Sequence, residues 1–371
     1  MIEYRLYINN TPATREQLDL VEEITVEQAV DMAWEARLQV PIGTDDQGQW
    51  TGGAEDVFTL FTPVRIELRV GDRGFVPLID GPIVDRDDDQ ETEPGQSMRT
   101  VVVQDDSVWL NREDRIFRFD ELLDHEIAGE LFDIPQIATT EIETTPAPTR
   151  SGEIQVVQRG TAMQLLRSLA RRQGMHAYVL PGESPGESVG CFKPFSTEPG
   201  DLPVLTLTGP ERNLASFSPR DDGQRPAQVT AYALSLFDKT VTQRTADPAS
   251  LDRLGPEPSL GDETSPAAQI LPPRFGDAVD LDQAVAAEAE RASYASEVTG
   301  TVLGHYYRAV LVPYQVVTVE GVDEERSGNY LIAQVTHSLS RTEYSQSFTL
   351  RRNARSQGAT ASFSDLAGAI F

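Results

Sequence analysis

Lysine is nearly missing from this chain: Lys193 and Lys239 are its only examples, so almost every cation is an arginine. Cysteine is rarer still. Cys191 stands alone, which excludes an internal disulfide and any zinc site built from several cysteines; it is expected to be a small buried hydrophobe. The histidines are His125, His176, His305 and His337. His125-Glu126 begins a metalloprotease-like spacing but the second histidine is missing, so no metal site is expected. His337, on an apolar strand face, is expected to be a hydrogen-bonded core residue. No apolar run approaches the roughly 20 residues that cross a bilayer. The opening MIEYRLYINN has no basic stretch leading into an apolar one, so neither a membrane anchor nor a signal peptide is expected. Glycine-rich phosphate and dinucleotide motifs are absent as well, and no cofactor is expected.

What is present begins with acid. Asp and Glu number 59 against 31 basic residues, for a formal net charge of −28. A surface this acidic repels phosphates and disfavours stable nucleic-acid binding. Two readings of the surplus stand: a solvated surface, as in a salt-adapted host, and an acidic channel wall along which a polyanion or cargo slides without sticking. With 371 residues, 39% of them hydrophobic, the chain can bury an ample core in two or three domains. The 24 prolines and 27 glycines fit many short strands and turns.

The N-terminal third alternates with period two. Ile2, Tyr4, Leu6 and Ile8 share one face, as do Trp34, Ala36, Leu38 and Val40, and Val64, Ile66, Leu68 and Val70. The turn Gly71-Asp72-Arg73-Gly74 leads into a further strand to Val84, residues 86–97 read as an exposed loop, and another strand starts at Met98. Such spacing predicts a small barrel or sandwich. The middle predicts a helix over 119–131, a Thr/Pro-rich connector over 138–153, and a strand–helix–strand unit over 154–180. Thr161 and Gln164 form its capping box, and Gly174 stops its helix. A loop at 182–190 and a short strand at 191–195 follow. The last third predicts a strand from Gln228 continued to about Arg244, a long exposed loop over 245–277 and an Ala/Glu-rich helix opened by Asp280. At least three strands follow in the stretch His305–Arg352, where Leu331, Ala333, Val335, His337 and Leu339 are read as one face.

Candidates for chemistry are few. GESPGESVG matches GxSxG at Ser184 and Ser188, but a nucleophile elbow needs a strand before the serine and a helix after it, and Pro181 and Pro185 interrupt the run. Asp87–Asp89, Asp105–Asp106 and Asp221–Asp222 are acidic clusters in expected loops and read as solvated, without the rigid spacing of a glycosidase pair. Asp87, Asp89 and Glu91 have the spacing of the first ligands of a calcium loop, yet Thr92 and Met98 stand where its glycine and closing glutamate belong. No catalytic, cofactor-binding or metal residue is assigned, and the chain is expected not to be an enzyme.

Three stretches carry a resemblance. EYRLYINN with ITVEQAVDMAWEARLQV, the unit IQVVQRGTAMQLLRSLARRQGMHAYV with Leu166, Leu169, Ala170 and Gly174, and the ending with Gly328-Asn329-Tyr330, Val335, His337 and its arginine finish together resemble the phage late control D family. These are baseplate hub proteins of contractile tails and contractile injection systems, related to the hub module of the type VI spike protein. The resemblance implies a mainly β chain with an α+β insertion: a first tube-type barrel at 1–110, the insertion at 111–205, and a second barrel at 206–355. That second barrel carries the loop 245–277 and a helix at 280–298, and a tail follows at 356–371. It also implies a homotrimer that is pseudo-hexameric, adapting a six-fold inner tube to a three-fold spike and contacting baseplate wedge proteins. The residues after Arg352 are too few for a needle, so the spike is expected to be a separate protein. Assembly in the cytoplasm into a virion tail or injection particle is implied. A hub of a non-contractile tail and a cell-wall-degrading tail enzyme are the competing readings.

Overall fold

A computed structural model describes residues 2–51, 57–93, 95–147, 155–234, 239–247, 253–259, 267–271 and 281–356. The chain is mainly β: among the described residues 47% are strand and 14% helix. Thirteen strands belong to one sheet. Its path runs Leu214–Asp221, Ser296–Val302, Tyr344–Arg352, Gly328–Ser340, Glu23–Ala29, Glu35–Pro41, Met98–Gln104, Val76–Asp89, Pro63–Val70, Ile2–Ile8 and Thr11–Pro12, and Val316–Glu320 and Leu205–Thr206 branch from Gly328–Ser340. The path is open. The N-terminal and C-terminal β regions are therefore not separate sheets: Glu23–Ala29 pairs antiparallel with Gln334–Ser340, so that Val26 lies opposite His337 and Ile24 opposite Leu339.

Alternation does the work the sequence suggests. Leu6, Ile8, Ile24, Val26, Ala36, Leu38, Val40, Val64, Ile66, Leu68, Val101 and Val103 face one core with Trp34 and Phe58. Tyr178, Cys191, Val310, Tyr314, Leu339 and Tyr344 join that same cluster, so residues from all three expected parts of the chain meet in it. A second core lies in the middle unit, where Met163, Leu166, Leu169 and Ala170 of the helix Ala162–Gln173 pack with Phe119, Ile127, Phe132 and Phe192. Thr161 accepts from the Gln164 N–H while Gln164 accepts from the Thr161 N–H, and Gly174 ends the helix at φ 71°, a left-handed position suited to glycine. A third core fills the C-terminal strands.

Several expected boundaries move. The segment 119–131 is not one helix. Phe119 and Asp120 belong to the strand Arg115–Asp120, paired with Gln155–Gly160, and Glu121 at φ 58° turns the chain into the helix Asp124–Phe132. The loop 86–97 begins later, because Val76–Asp89 stays paired through Asp89 opposite Met98, and the Arg99 guanidinium holds the Asp88 carboxylate at 2.6 and 2.8 Å. The strand expected from Cys191 starts at Ser188, paired with Pro181 on one side and Ile137 on the other. Gln228–Leu234 and Val241–Ala246 are two arms of an antiparallel pair, and residues 235–238 lie outside the described residues.

The loop 245–277 is in part strand: Glu257–Pro258 pairs with Ala354–Arg355, and Ala268–Ile270 with Gln228–Thr230. The helix 280–298 is Leu281–Ser293, followed by Ser296–Val302 as strand; Asp280 and residues 357–371 lie outside the described residues. Finally, Ala333 is the extra residue of a bulge between Ile332 opposite Leu350 and Gln334 opposite Thr349. The bulge puts Tyr330 and Ile332 on the face of Val335 and His337, and sends Leu331 to a separate cluster with Leu254 and Val316.

Candidate functional site: two buried polar joints

Two polar joints hold distant parts of the chain together. At the first, Arg65 and Glu67 rise from Pro63–Val70 on the face opposite the apolar core and are covered by the loop between His176–Pro181 and Ser188–Lys193. Arg65, only 2% exposed, donates to Glu67 Oε1 at 2.8 Å and Asp80 Oδ2 at 3.1 Å, and to the carbonyls of Ser184 at 3.2 Å and Glu183 at 3.3 Å. The Gly186 N–H donates to Asp80 Oδ2 at 2.9 Å. Gly81 permits the approach behind it, since a Cβ there would stand 2.0 Å from the Gln104 carbonyl oxygen.

Asp105 and Asp106 lie beside this group, buried rather than solvated as expected. Asp105 accepts from the N–H groups of Trp34 and Ser107, Asp106 from the Ser188 hydroxyl at 2.7 Å and the Trp109 indole at 3.0 Å. Burial pushes the Asp106 carboxyl up to about 7, the Asp80 and Asp105 charges adding to the effect against the Ser188 and Trp109 hydrogen bonds. Burial also raises Asp80 and Asp105. Asp106, with the Asp80 and Asp105 carboxyls beside it, is the member set to hold a proton near neutral pH.

The second joint crosses the seam of the sheet. His337 is fully buried. Its Nδ1 meets the Tyr344 hydroxyl at 2.9 Å and its Nε2 the Gln28 Oε1 at 3.2 Å, while Gln28 Nε2 donates to the Leu78 carbonyl at 2.6 Å. Burial pushes the imidazole down to about 3, so it is neutral and serves as a hydrogen-bonding link.

The residues weighed from sequence are scattered. Ser188 begins a strand and donates to a carboxylate, so the strand–turn–helix of a nucleophile elbow is not formed around it. Ser184 contributes its backbone carbonyl to Arg65. His125 bonds Thr145, His176 bonds Asp31 and stacks on Phe195 with ring centroids 3.7 Å apart, and His305 lies on a turn. The four histidines do not gather, and among the described residues no group of three or more His, Cys, Asp and Glu could hold a metal ion. Cys191 is buried and its thiol is pushed up to about 12 by desolvation, which leaves it protonated.

Asp88 pairs with Arg99, Asp221 with Arg326 and Asp222 with Arg225. Sequence reasoning missed Arg65, Asp80 and Gln28. The one legible signal was Asp80, an acid inside the otherwise apolar run Phe75–Val84.

The opposite face of the long sheet is polar. Reading across the strands, Ser216, Thr301, Ser347, Thr336, Glu27, Glu35 and Gln104 are successive cross-strand partners, and the row passes through the seam without interruption. Arg37 and Arg351, which share this face, are neutralised by Glu35 and Glu297.

No protein-family model matches the chain, and no curated protein does. Solved structures do. Over 95% of this chain and 99% of that one, the fold is similar to the 43 kDa tail protein of prophage MuSo2 from Shewanella oneidensis, at TM-score 0.64 and 14% identity. A tail protein from Neisseria meningitidis is similar at TM-score 0.61 and 15% identity, over 95% of this chain and 96% of that one. A chain of the Francisella PdpA–VgrG complex matches at TM-score 0.54 and 8% identity, with 95% of this chain on 58% of that one. The chain thus shares its fold, nearly end to end, with these two tail proteins.

Proposed function

We propose that the chain is a structural baseplate hub of a contractile tail or contractile injection system. In this reading a homotrimer adapts a six-fold inner tube to a three-fold spike, and baseplate wedge proteins surround it. The observation that carries the reading is the polar row across the seam, set on a fold like that of phage tail proteins from end to end. The seam welds two β regions into one rigid wall with one apolar and one polar face. Three copies would supply six such regions, and the tube-type barrels are completed only by that assembly.

The polar face is the channel wall in this reading. Its hydroxyls, amides and surplus acids, Glu23 and Glu27 among them, offer little for a polyanion to adhere to. The role is mechanical and not catalytic, and the particle is built in the cytoplasm. Sedimentation of the purified chain tests the trimer: three chains per particle is expected, and a monomer at high protein concentration removes the proposal. Imaging the particle with and without a sheath separates contractile from non-contractile tails, and peptidoglycan turnover by the purified chain would move the reading to a tail enzyme.

A further inference from the structure

A cleft of about 690 Å³ opens between the strands Ile2–Ile8 and Pro63–Val70 and the loop that covers Arg65. Its apolar wall includes Phe75, Pro77, Leu180 and Pro181, and Arg5 and Tyr7 line it from the strand. That size and mixture suit a bound segment. Arg5 lies on Phe75, its guanidinium carbon 3.7 Å from the ring centroid, and Arg69 flanks the same ring at 4.6 Å. Stacking orients a guanidinium while leaving its N–H fork free for a carboxylate. Arg69 is paired with Glu3, whereas Arg5 is exposed and forms no ion pair among the described residues of this acid-rich chain.

Of the acids in the cleft, Glu67 is tied to Arg65 and Glu141 to Lys193. Glu183 is exposed and forms no ion pair among the described residues.

The strand that carries Arg5 has an open edge. Asn9 and Asn10, both at positive φ, turn the chain back so that the Ala13 N–H reaches the Leu6 carbonyl, which fixes Leu6 as pointing away from Pro63–Val70. By alternation Ile2 and Tyr4 point the same way, and among the described residues no strand pairs there. A strand added at that edge sets every second side chain on the face of Arg5 and directly opposite it, while the place opposite Tyr7 is taken by Pro12.

We propose that this cleft and the strand edge beside it bind an extended acidic segment of a partner protein. The segment's backbone pairs with Ile2 and Tyr4, a carboxylate closes on Arg5, and its small apolar residues lie over Phe75 and Pro181. Charge complementarity selects the partner, since an unpaired stacked arginine next to open backbone groups favours an acidic strand over a basic one. The peptide probes and the Arg5 variant read binding at this edge directly, so the test does not require the trimer or the channel.

The test is fluorescence anisotropy on the full chain at low salt, with a labelled alternating Glu–Val peptide as probe and an alternating Lys–Val peptide as its counterpart. The Glu–Val peptide is expected to bind and the Lys–Val peptide not to. Arg5→Gln, at an exposed position, is expected to keep the thermal transition of the parent and to weaken the Glu–Val peptide by about tenfold or more. Glu183→Gln is expected to tighten it, and N-methylation of alternate peptide residues to abolish binding. Equal binding of the two peptides, an unchanged affinity in Arg5→Gln, or undiminished binding of the N-methylated probe overturns the proposal. So does a change in self-association with Arg5→Gln while peptide binding stays the same, which would make a second copy the occupant.

Discussion

The joint at Arg65 and the joint at His337 solve the same problem with opposite chemistry. Each fastens side chains far apart in sequence: Arg65 to the carbonyls of Glu183 and Ser184, and His337 to Gln28. The first is ionic and crowded with acids; the second is neutral throughout. A buried ion group is costly when one member is removed, because the remaining charges lose their compensation. A neutral hydrogen-bonded chain loses less per member, yet it tolerates no protonation at its centre. The two joints therefore set limits on stability from opposite sides of the pH scale.

The largest effect is expected from Arg65→Met. It leaves Glu67 and Asp80 buried without their cation, and urea unfolding should show a loss of about 3–5 kcal/mol. Adding Asp80→Asn to that variant should recover part of the loss; no recovery would mean that packing of the arginine stem dominates. Next comes Gln28→Leu, which removes the partner of His337 Nε2 and the donor to the Leu78 carbonyl, with about 1–3 kcal/mol expected.

The pH profiles sharpen the contrast. Asp106 has its folded pKa raised to about 7, so its contribution is full below the ordinary carboxylate pKa and declines as pH rises through about 7. Asp106→Asn should flatten the stability profile between about pH 4 and 7. His337 has its folded pKa depressed to about 3, so its contribution is present above the ordinary histidine pKa and declines as pH falls from about 6.5 toward 3. His337→Gln should flatten that limb and leave the other. The smallest effect is expected from Arg351→Gln: its pair with Glu297 is half exposed, and a change within about 0.5 kcal/mol is expected by the same urea measurement.

Legibility followed locality. The helix Ala162–Gln173 could be read to its ends because Thr161, Gln164 and Gly174 act within a few residues of themselves. The strands Ile2–Ile8 and Glu35–Pro41 could be read because alternation is a property of the segment. The face of Leu331 could not, because the bulge at Ala333 is set by pairing with Tyr344–Arg352. Asp105 and Asp106 looked like solvated acids because nothing beside them in sequence shows that Ser188 and the N–H of Trp34 lie against them. The extent of the helix after 280 was overread for a related reason: Ala and Glu content favours helix, but Ser296–Val302 gains more by pairing with both Leu214–Asp221 and Tyr344–Arg352.

By itself the sequence determined a mainly β chain with one well-capped middle helix, a surplus of acid and a scarcity of reactive side chains, because period, capping and composition are written in neighbouring residues. Only the tertiary structure decided that the two β regions share one sheet, that a histidine and a glutamine meet across its seam, and that Arg65 meets Glu67 and Asp80 under a loop of the middle unit. Those outcomes depend on backbone pairing and desolvation between segments far apart in sequence, 309 positions for Gln28 and His337, and no local pattern encodes them.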